Sequence, residues 1–177
     1  RGGGVRLRVG EDFEAVAPED GPRFRECWEA YHALMGREGI TPDMAKAAMR
    51  RSNTLISAML VRRGDADAML CGLVGRFEQH LEHVRTVIGL RAGAPGLATL
   101  NALLLDSRTL FLTDTFVNEE PAAELLAHIA LMASEEVRRF GFPPKVAFLS
   151  HSMFGSSARD SARRMRAAAE RFKQLAP

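Results

Sequence analysis

Apolar residues recur at spacings of three and four over much of this 177-residue chain, a pattern typical of amphipathic helices. The pattern predicts helices over residues 22–34, 77–90, 121–140 and 157–175. Two shorter helices are predicted between the first pair, one restarting at Thr41-Pro42-Asp43 and one capped by Asn53 and ended by Gly64. Met44 and Met49 are expected on the inner face of the first of these short helices.

Shorter apolar runs between the helices predict strands over residues 66–73, 97–105, 109–113 and 145–150. We expect the run 66–73 to be buried, and the segment Asp106-Ser107-Arg108 is a turn signal between the second and third runs. Strands that alternate with helices of these lengths indicate an α/β fold, in which helices cover a parallel or mostly parallel sheet.

Composition narrows the class of protein further. The 46% of apolar residues is enough for a packed core, and 24 basic against 22 acidic residues give a net charge of only +2. So small a charge excludes binding driven by a broad positive field, and we expect no nucleic-acid partner. Charged residues interrupt every apolar run, so we expect neither a membrane span nor a membrane partner.

Two features of the chain bear on its location and its extent. The first residues lack an apolar leader, and two cysteines without CxxC spacing are too few for a disulfide framework, which suits a reducing cytoplasm. We expect Cys27 and Cys71 to be buried apolar residues. The chain starts with an arginine and three glycines and stops just after a predicted helix. We therefore expect a piece of a longer protein.

Three loops of small polar residues follow predicted strands, at residues 72–76, 113–118 and 150–157. Ligands of open α/β sheets bind at the carboxyl ends of strands, so these loops are expected to converge on one cleft. The third loop combines four serines with Gly155 before a helix that carries Arg159, Arg163 and Arg164. Such a loop can hold a phosphate. It can equally be a serine-rich turn with an ordinary N-cap, and both interpretations stay open.

Other chemistry is only weakly indicated. His80 and His83 are spaced as metal ligands on a helix, but no third ligand lies nearby, so we predict no metal site. The chain contains neither a GxGxxG fingerprint nor a P-loop motif. The chain is therefore predicted to hold no nicotinamide cofactor of its own.

Several strings, taken together, resemble the phosphate acetyl/butyryltransferase (phosphotransacetylase) family. They are GDADAMLCG, FLTDTFVNEEPAAELLAHIALMASEEVRRFGFPPKVAFLSHSMFGSS and SARRMRAA, and the likeness runs from about Pro18 to the end of the chain. The chain is most similar to the phosphotransacetylase-like C-terminal region of bacterial NADP-dependent malic enzymes. The resemblance implies a two-lobed α/β fold that binds coenzyme A between the lobes. Residues 20–155 would form one complete lobe, and 1–19 and 156–177 would be parts of the second.

Active members of the family carry a threonine and a basic or small residue where this chain has Met153 and Phe154, and an arginine where it has Met35. The resemblance implies no catalytic residue at these degenerate positions. It implies instead that coenzyme A or acetyl-CoA is bound through a set of retained polar residues and glycine: Arg85, Asp114, Asn118, Ser150, Ser152, Gly155, Ser156, Ser157 and Asp160.

Transfer of an acetyl group between phosphate and coenzyme A needs fixed positive charge on the phosphate, and losing one such donor costs roughly 10²–10³ in rate. The likeness therefore favours a regulatory, acetyl-CoA-responsive and oligomer-forming domain of a malic enzyme. In that enzyme an N-terminal part would use NADP and a divalent metal to decarboxylate malate to pyruvate. Two alternatives stay open: an active phosphate acetyl/butyryltransferase, and a pure assembly module with a non-functional cleft.

Overall fold

The computed structural model describes residues 6–16, 21–153 and 155–176 of the chain. The chain divides into two compact units, Arg1–Gly89 and Leu90–Pro177. Their mixture of helices with a small sheet agrees with the predicted α/β class. The lobe boundaries that the family resemblance implies stay a prediction.

The first unit is helical in its described part. Its helices are α1 (Pro22–Met35), α2 (Pro42–Arg51), α3 (Asn53–Arg63) and α4 (Phe77–His83), with a 3₁₀ turn at Gly36–Glu38 and a π-helical turn at Val84–Ile88.

The starts of α2 and α3 follow from their capping residues. The Thr41 hydroxyl accepts a hydrogen bond from the Met44 amide at 3.3 Å, as the sequence predicts. At α3 the cap is Ser52, which accepts from the Leu55 amide at 3.2 Å, rather than the predicted Asn53. Gly64 ends α3 with φ +79°, a left-handed conformation that glycine adopts without strain.

The core of the first unit lies among α1, α2, α3 and the π-helical turn. It consists of Phe24, Cys27, Tyr31, Ala45, Met49, Leu55, Ile56, Ala58, Met59 and Val87. Burial raises the pKa of both the Cys27 thiol and the Tyr31 phenol, so both groups remain neutral in this core.

Three predictions of burial in this unit are wrong. Met44 is half exposed on α2, and Cys71 is exposed. The run 66–73 is extended but forms no strand, with Leu70 and Leu73 almost completely exposed. An apolar run indicates a tendency to be buried, but burial also needs a neighbour to cover it. Met69 of this run packs against the core, whereas the described residues leave Leu70 and Leu73 uncovered.

The second unit contains a β-hairpin and two long helices. The strands β1 (Leu100–Leu105) and β2 (Arg108–Thr113) pair antiparallel with Leu103 opposite Leu110, and the predicted turn joins them. The helices are α5 (Ala123–Arg139) and α6 (Asp160–Leu175). The ring of Phe111 contacts those of Phe140 and Phe142, which fixes one face of the hairpin beside the end of α5.

The strand pairing in the described residues is antiparallel, not parallel as the alternation of elements predicts. The reason is local, because a two-residue turn can join only antiparallel neighbours. The run 145–150 is extended and carries no strand ladder, although Phe148 packs on Phe172 of α6 with ring centroids 5.7 Å apart. No helix in the described parts of the chain is both long and apolar enough to cross a membrane.

Two methionines on α2 provide a matched test of the first unit's core. Met49 is fully buried, whereas Met44 on the same helix is half exposed. Met49→Ala is expected to lower the free energy of unfolding by about 2–5 kcal/mol, because it leaves a cavity. Met44→Ala is expected to change it by no more than about 0.5 kcal/mol. Urea denaturation of both variants measures the difference, and equal losses would contradict the placement of the core.

Candidate functional site

Serine hydroxyls organise the loop 150–157 from within. The Ser150 hydroxyl accepts from the Ser152 amide at 3.1 Å, and the Ser152 hydroxyl accepts from the Ser157 amide at 2.9 Å. The Ser156 hydroxyl donates to the Met153 carbonyl at 2.8 Å. Because Ser150 and Ser152 act as acceptors in these bonds, their own O–H groups remain available to donate to a ligand.

The helix after this loop begins later than the sequence predicts. It starts at Asp160 rather than at Ser157, and its N-cap residue Arg159 makes no side-chain capping bond. The Ser157 hydroxyl instead accepts from the Arg159 amide at 3.3 Å, which closes a separate turn ahead of the helix. The ordinary serine N-cap is therefore not formed, and the loop is organised by its own turns.

The loop and α6 line an open cavity of about 300 Å³. Its lining is Phe148, Leu149, Ser150, Ser152, Gly155, Ala162, Met165, Arg166 and Ala169. Hydroxyl donors and one guanidinium thus lie beside apolar side chains, a combination that small-ligand sites also use. A space of this size fits a phosphate or a short acyl group but not a whole coenzyme A molecule.

Three of the predicted binding residues, Ser150, Ser152 and Gly155, come together in this cavity. Arg166 lines it too, and the sequence reasoning missed this residue while naming its neighbours on the same helix. Its spacing in the sequence could have predicted this position. Arg166 follows Ala162 by four residues and therefore lies on the same face of the helix.

The loop 113–118 has a strained backbone. Asp114 and Phe116 have φ values of +59° and +66°, a region that residues other than glycine rarely adopt. The Thr99 hydroxyl donates to the Thr115 carbonyl at 2.5 Å, and the Thr113 hydroxyl donates to the Thr99 carbonyl at 2.7 Å. These bonds tie the loop to the residues that lead into β1 and hold the strained conformation in place.

Asp114 and Asn118 are half-buried within this loop. The Asn118 amide donates to the Leu97 carbonyl at 3.2 Å, which fixes the end of the loop. One carboxylate oxygen of Asp114 is buried and has no hydrogen-bond partner among the described residues. Burial raises the pKa of Asp114, and the nearby Asn118 amide opposes part of that rise. Neither residue lines the cavity beside α6.

The remaining predicted ligand residues are not part of that cavity's lining. Arg85 is exposed in the π-helical turn of the first unit, where Arg62 donates to the Val87 carbonyl at 2.7 Å and holds the turn. Asp160 is exposed at the start of α6 and forms an ion pair with Arg163. Ser156 and Ser157 belong to the serine loop but do not line its cavity.

The residues at the degenerate positions have different surroundings. Met35 is half-buried and packs against the core of the first unit. Met153 is 75% exposed in the serine loop. Phe154 lies outside the described residues.

The two histidines of α4 are half-buried in the first unit. The described residues contain no cluster of three or more metal-ligating side chains. His80 Nδ1 lies 2.7 Å from the Thr54 hydroxyl, which links α4 to α3. Burial lowers the pKa of His83, and the neighbouring His80 lowers it further.

Known proteins of one family are similar to this chain in sequence and in fold. The sequence profile described as Phosphate acetyl/butaryl transferase matches residues 3–177. A "NADP-dependent malic enzyme" of Salmonella typhimurium is 49% identical over 98% of this chain, which spans 23% of that enzyme. A "Phosphate acetyltransferase" of Nitratidesulfovibrio vulgaris is 34% identical over 84% of the chain and 21% of its own length.

A solved phosphotransacetylase from Streptococcus pyogenes superposes with a TM-score of 0.79 at 25% identity, over 96% of this chain and 51% of that one. The predicted phosphotransacetylase-like α/β fold and the predicted family resemblance are thereby confirmed. The chain spans about a quarter of the malic enzyme that it matches and about half of the solved phosphotransacetylase.

The buried carboxylate of Asp114 gives a testable pH dependence. Its pKa is raised in the folded state, so the folded protein binds more protons than the unfolded one, and this contribution to stability is lost as pH rises through the folded-state pKa. Asp114→Asn removes the titration, and asparagine tolerates the left-handed backbone. As pH rises, the free energy of unfolding of Asp114→Asn is therefore expected to increase relative to that of the unsubstituted chain.

Asp114→Ala is the control, because it also removes the charge but places an ill-suited residue at φ +59°. It is expected to be less stable than Asp114→Asn by about 1–2 kcal/mol at every pH. Urea denaturation between pH 3 and pH 8 tests both variants. If the free energies of unfolding of the unsubstituted chain and of Asp114→Asn changed in parallel with pH, the raised pKa of Asp114 would be contradicted.

Proposed function

Because the chain belongs to the phosphate acetyl/butyryl transferase family, we propose that it is the regulatory phosphotransacetylase-like domain of a malic enzyme, which binds acetyl-CoA without transferring its acetyl group. The malic enzyme relatives, which match 98% of the chain, support this choice of parent. In the proposed parent, a separate N-terminal part carries NADP, a divalent metal and the decarboxylation of malate. The domain also joins subunits into a homo-oligomer.

The observation that carries the proposal is the loss of polar groups in the serine loop. Met153 replaces a hydroxyl, and Phe154 stands where active members keep a basic or small residue. Each fixed donor removed from a reacting phosphate costs roughly 10²–10³ in rate, so two replacements leave little turnover. The hydroxyls of Ser150 and Ser152 and the guanidinium of Arg166 line the cavity, which supports binding without transfer.

Met35 supports the same conclusion from the first unit. Its side chain packs against the buried cluster that contains Tyr31 and Met49. Recovering the family's arginine at this position would place a charge against an apolar core, which is unfavourable. Met35 therefore contributes to the packing of the first unit.

Calorimetry with acetyl-CoA on the full-length parent, combined with an acetyl phosphate assay, tests this function. We expect binding, no acetyl transfer at the rate of family transferases, and a change in malate decarboxylation that corresponds to a coupling of typically 1–3 kcal/mol. Ser152→Ala is expected to weaken acetyl-CoA binding roughly 2- to 10-fold, because it removes one hydroxyl donor from the cavity. Ser107→Ala, in the turn of the hairpin, is the matched control and is expected to bind as the parent does.

Rapid formation of acetyl phosphate would overturn the proposal in favour of an active transferase. Absence of both binding and any effect on malate decarboxylation would favour a pure assembly module. The double variant Met153→Thr, Phe154→Arg distinguishes the alternatives further, because only a degenerate cleft is expected to gain activity from it.

A further inference from the structure

The basic side chains of α6 fall into two groups. The described residues provide a carboxylate partner for four of them, in the pairs Arg163–Asp160, Arg164–Glu120, Arg171–Glu124 and Lys173–Glu170. Arg166 has no carboxylate partner among the described residues, although it lies in the same helix. Its positive charge is therefore not neutralised by the part of the chain that the structure describes.

Arg166 instead reaches back to the serine loop. Its Nη1 atom donates to the Gly155 carbonyl at 3.2 Å and to the Ser157 carbonyl at 3.1 Å. A Cβ atom on Gly155 would lie 3.6 Å from Arg166 Cδ, so the Arg166 side chain passes close to this glycine. Two bonds from one guanidinium to carbonyls nine and eleven residues away fix the position of the loop over α6.

These bonds use only part of the guanidinium. Arginine carries five N–H donors, and Nη1 supplies two of them, which leaves those on Nε and Nη2. Arg166 is exposed and lines the cavity of about 300 Å³ beside the hydroxyls of Ser150 and Ser152. The remaining donors are thus accessible from solvent at the edge of that cavity.

We propose that Arg166 both positions the serine loop and supplies the cation of the cavity, where it receives a phosphate group. This inference rests on the proposed function for its ligand, either a phosphate of acetyl-CoA or a free phosphate. The loop brings no arginine or lysine of its own, since Phe154 stands where active members carry a basic or small residue and His151 is its one ionisable side chain. A guanidinium is suited to the task because its planar donors match phosphate oxygens in pairs.

The test compares Arg166→Ala and Arg166→Lys with Arg163→Ala in the full-length parent. Arg163 is the matched control, since it is an exposed arginine on the same helix that pairs with Asp160. Hydrogen exchange of the amides at 150–158 without ligand reports the positioning of the loop. Calorimetry with acetyl-CoA and with inorganic phosphate, in separate titrations, reports binding.

Arg166→Ala is expected to speed exchange in the loop and to weaken binding roughly 10- to 100-fold, the loss expected for a hydrogen bond to a charged group. Arg166→Lys retains the charge without the planar fork, so its affinity is expected to lie between those of the parent and Arg166→Ala. Arg163→Ala is expected to match the parent in both measurements. If Arg166→Ala weakens the binding of acetyl-CoA but not of inorganic phosphate, the cavity receives a phosphate of coenzyme A. If it weakens the binding of inorganic phosphate, the cavity receives the free anion.

The two halves of the inference fail separately. Unchanged exchange in Arg166→Ala would overturn the positioning role, and unchanged affinity for both ligands would overturn the binding role. If the parent binds neither ligand, the proposed function and the binding role fail together. Faster exchange in Arg166→Ala would then still support the positioning role, because that measurement needs no ligand.

Discussion

The packing of α5 against α6 is the constraint on which the second unit depends. The two helices are in extensive contact, and Ala168 of α6 is completely buried. Arg171 also binds Glu124 across this interface through two of its nitrogens, which holds the pKa of Glu124 below its usual range. That pair is exposed to solvent, and exposed ion pairs contribute little to stability, so the apolar contact stabilises the interface more than the ion pair does. Because Arg166 extends from the same helix, the position of the serine loop follows from this packing.

The helices could be predicted well because their determinants are local. A capping hydroxyl at Thr41 and a glycine at Gly64 act within one helical turn, and the spacing of apolar residues marks the buried face. The two strands of the hairpin and the turn between them were predicted for the same reason, but their antiparallel pairing was not. The runs 66–73 and 145–150 show where local information ends. Whether an extended apolar run becomes a strand depends on a partner elsewhere, and its own residues carry no information about that partner.

The candidate site could be predicted only in part. The serines and glycine of the loop 150–157 are visible in the sequence, and three of them line the cavity, while their role in binding stays a prediction. Arg166 was not predicted, because its bonds join residues nine and eleven positions apart through a turn whose path the sequence does not specify. The positive φ of Asp114 was equally hidden, because the threonines Thr99 and Thr115 that hold it belong to two different segments.

The proposed function requires that binding of a phosphate group be separable from acceleration of acetyl transfer. A group accelerates a reaction only when it binds the transition state more strongly than the ground state. Arg166 is held by two carbonyls before any ligand arrives, and it sits on a helix rather than in the loop beside Met153. On the proposed function, this cation contributes to binding of a phosphate group. The absence of transfer is then explained by Met153 and Phe154, which supply neither a hydroxyl nor a charge to the reacting groups.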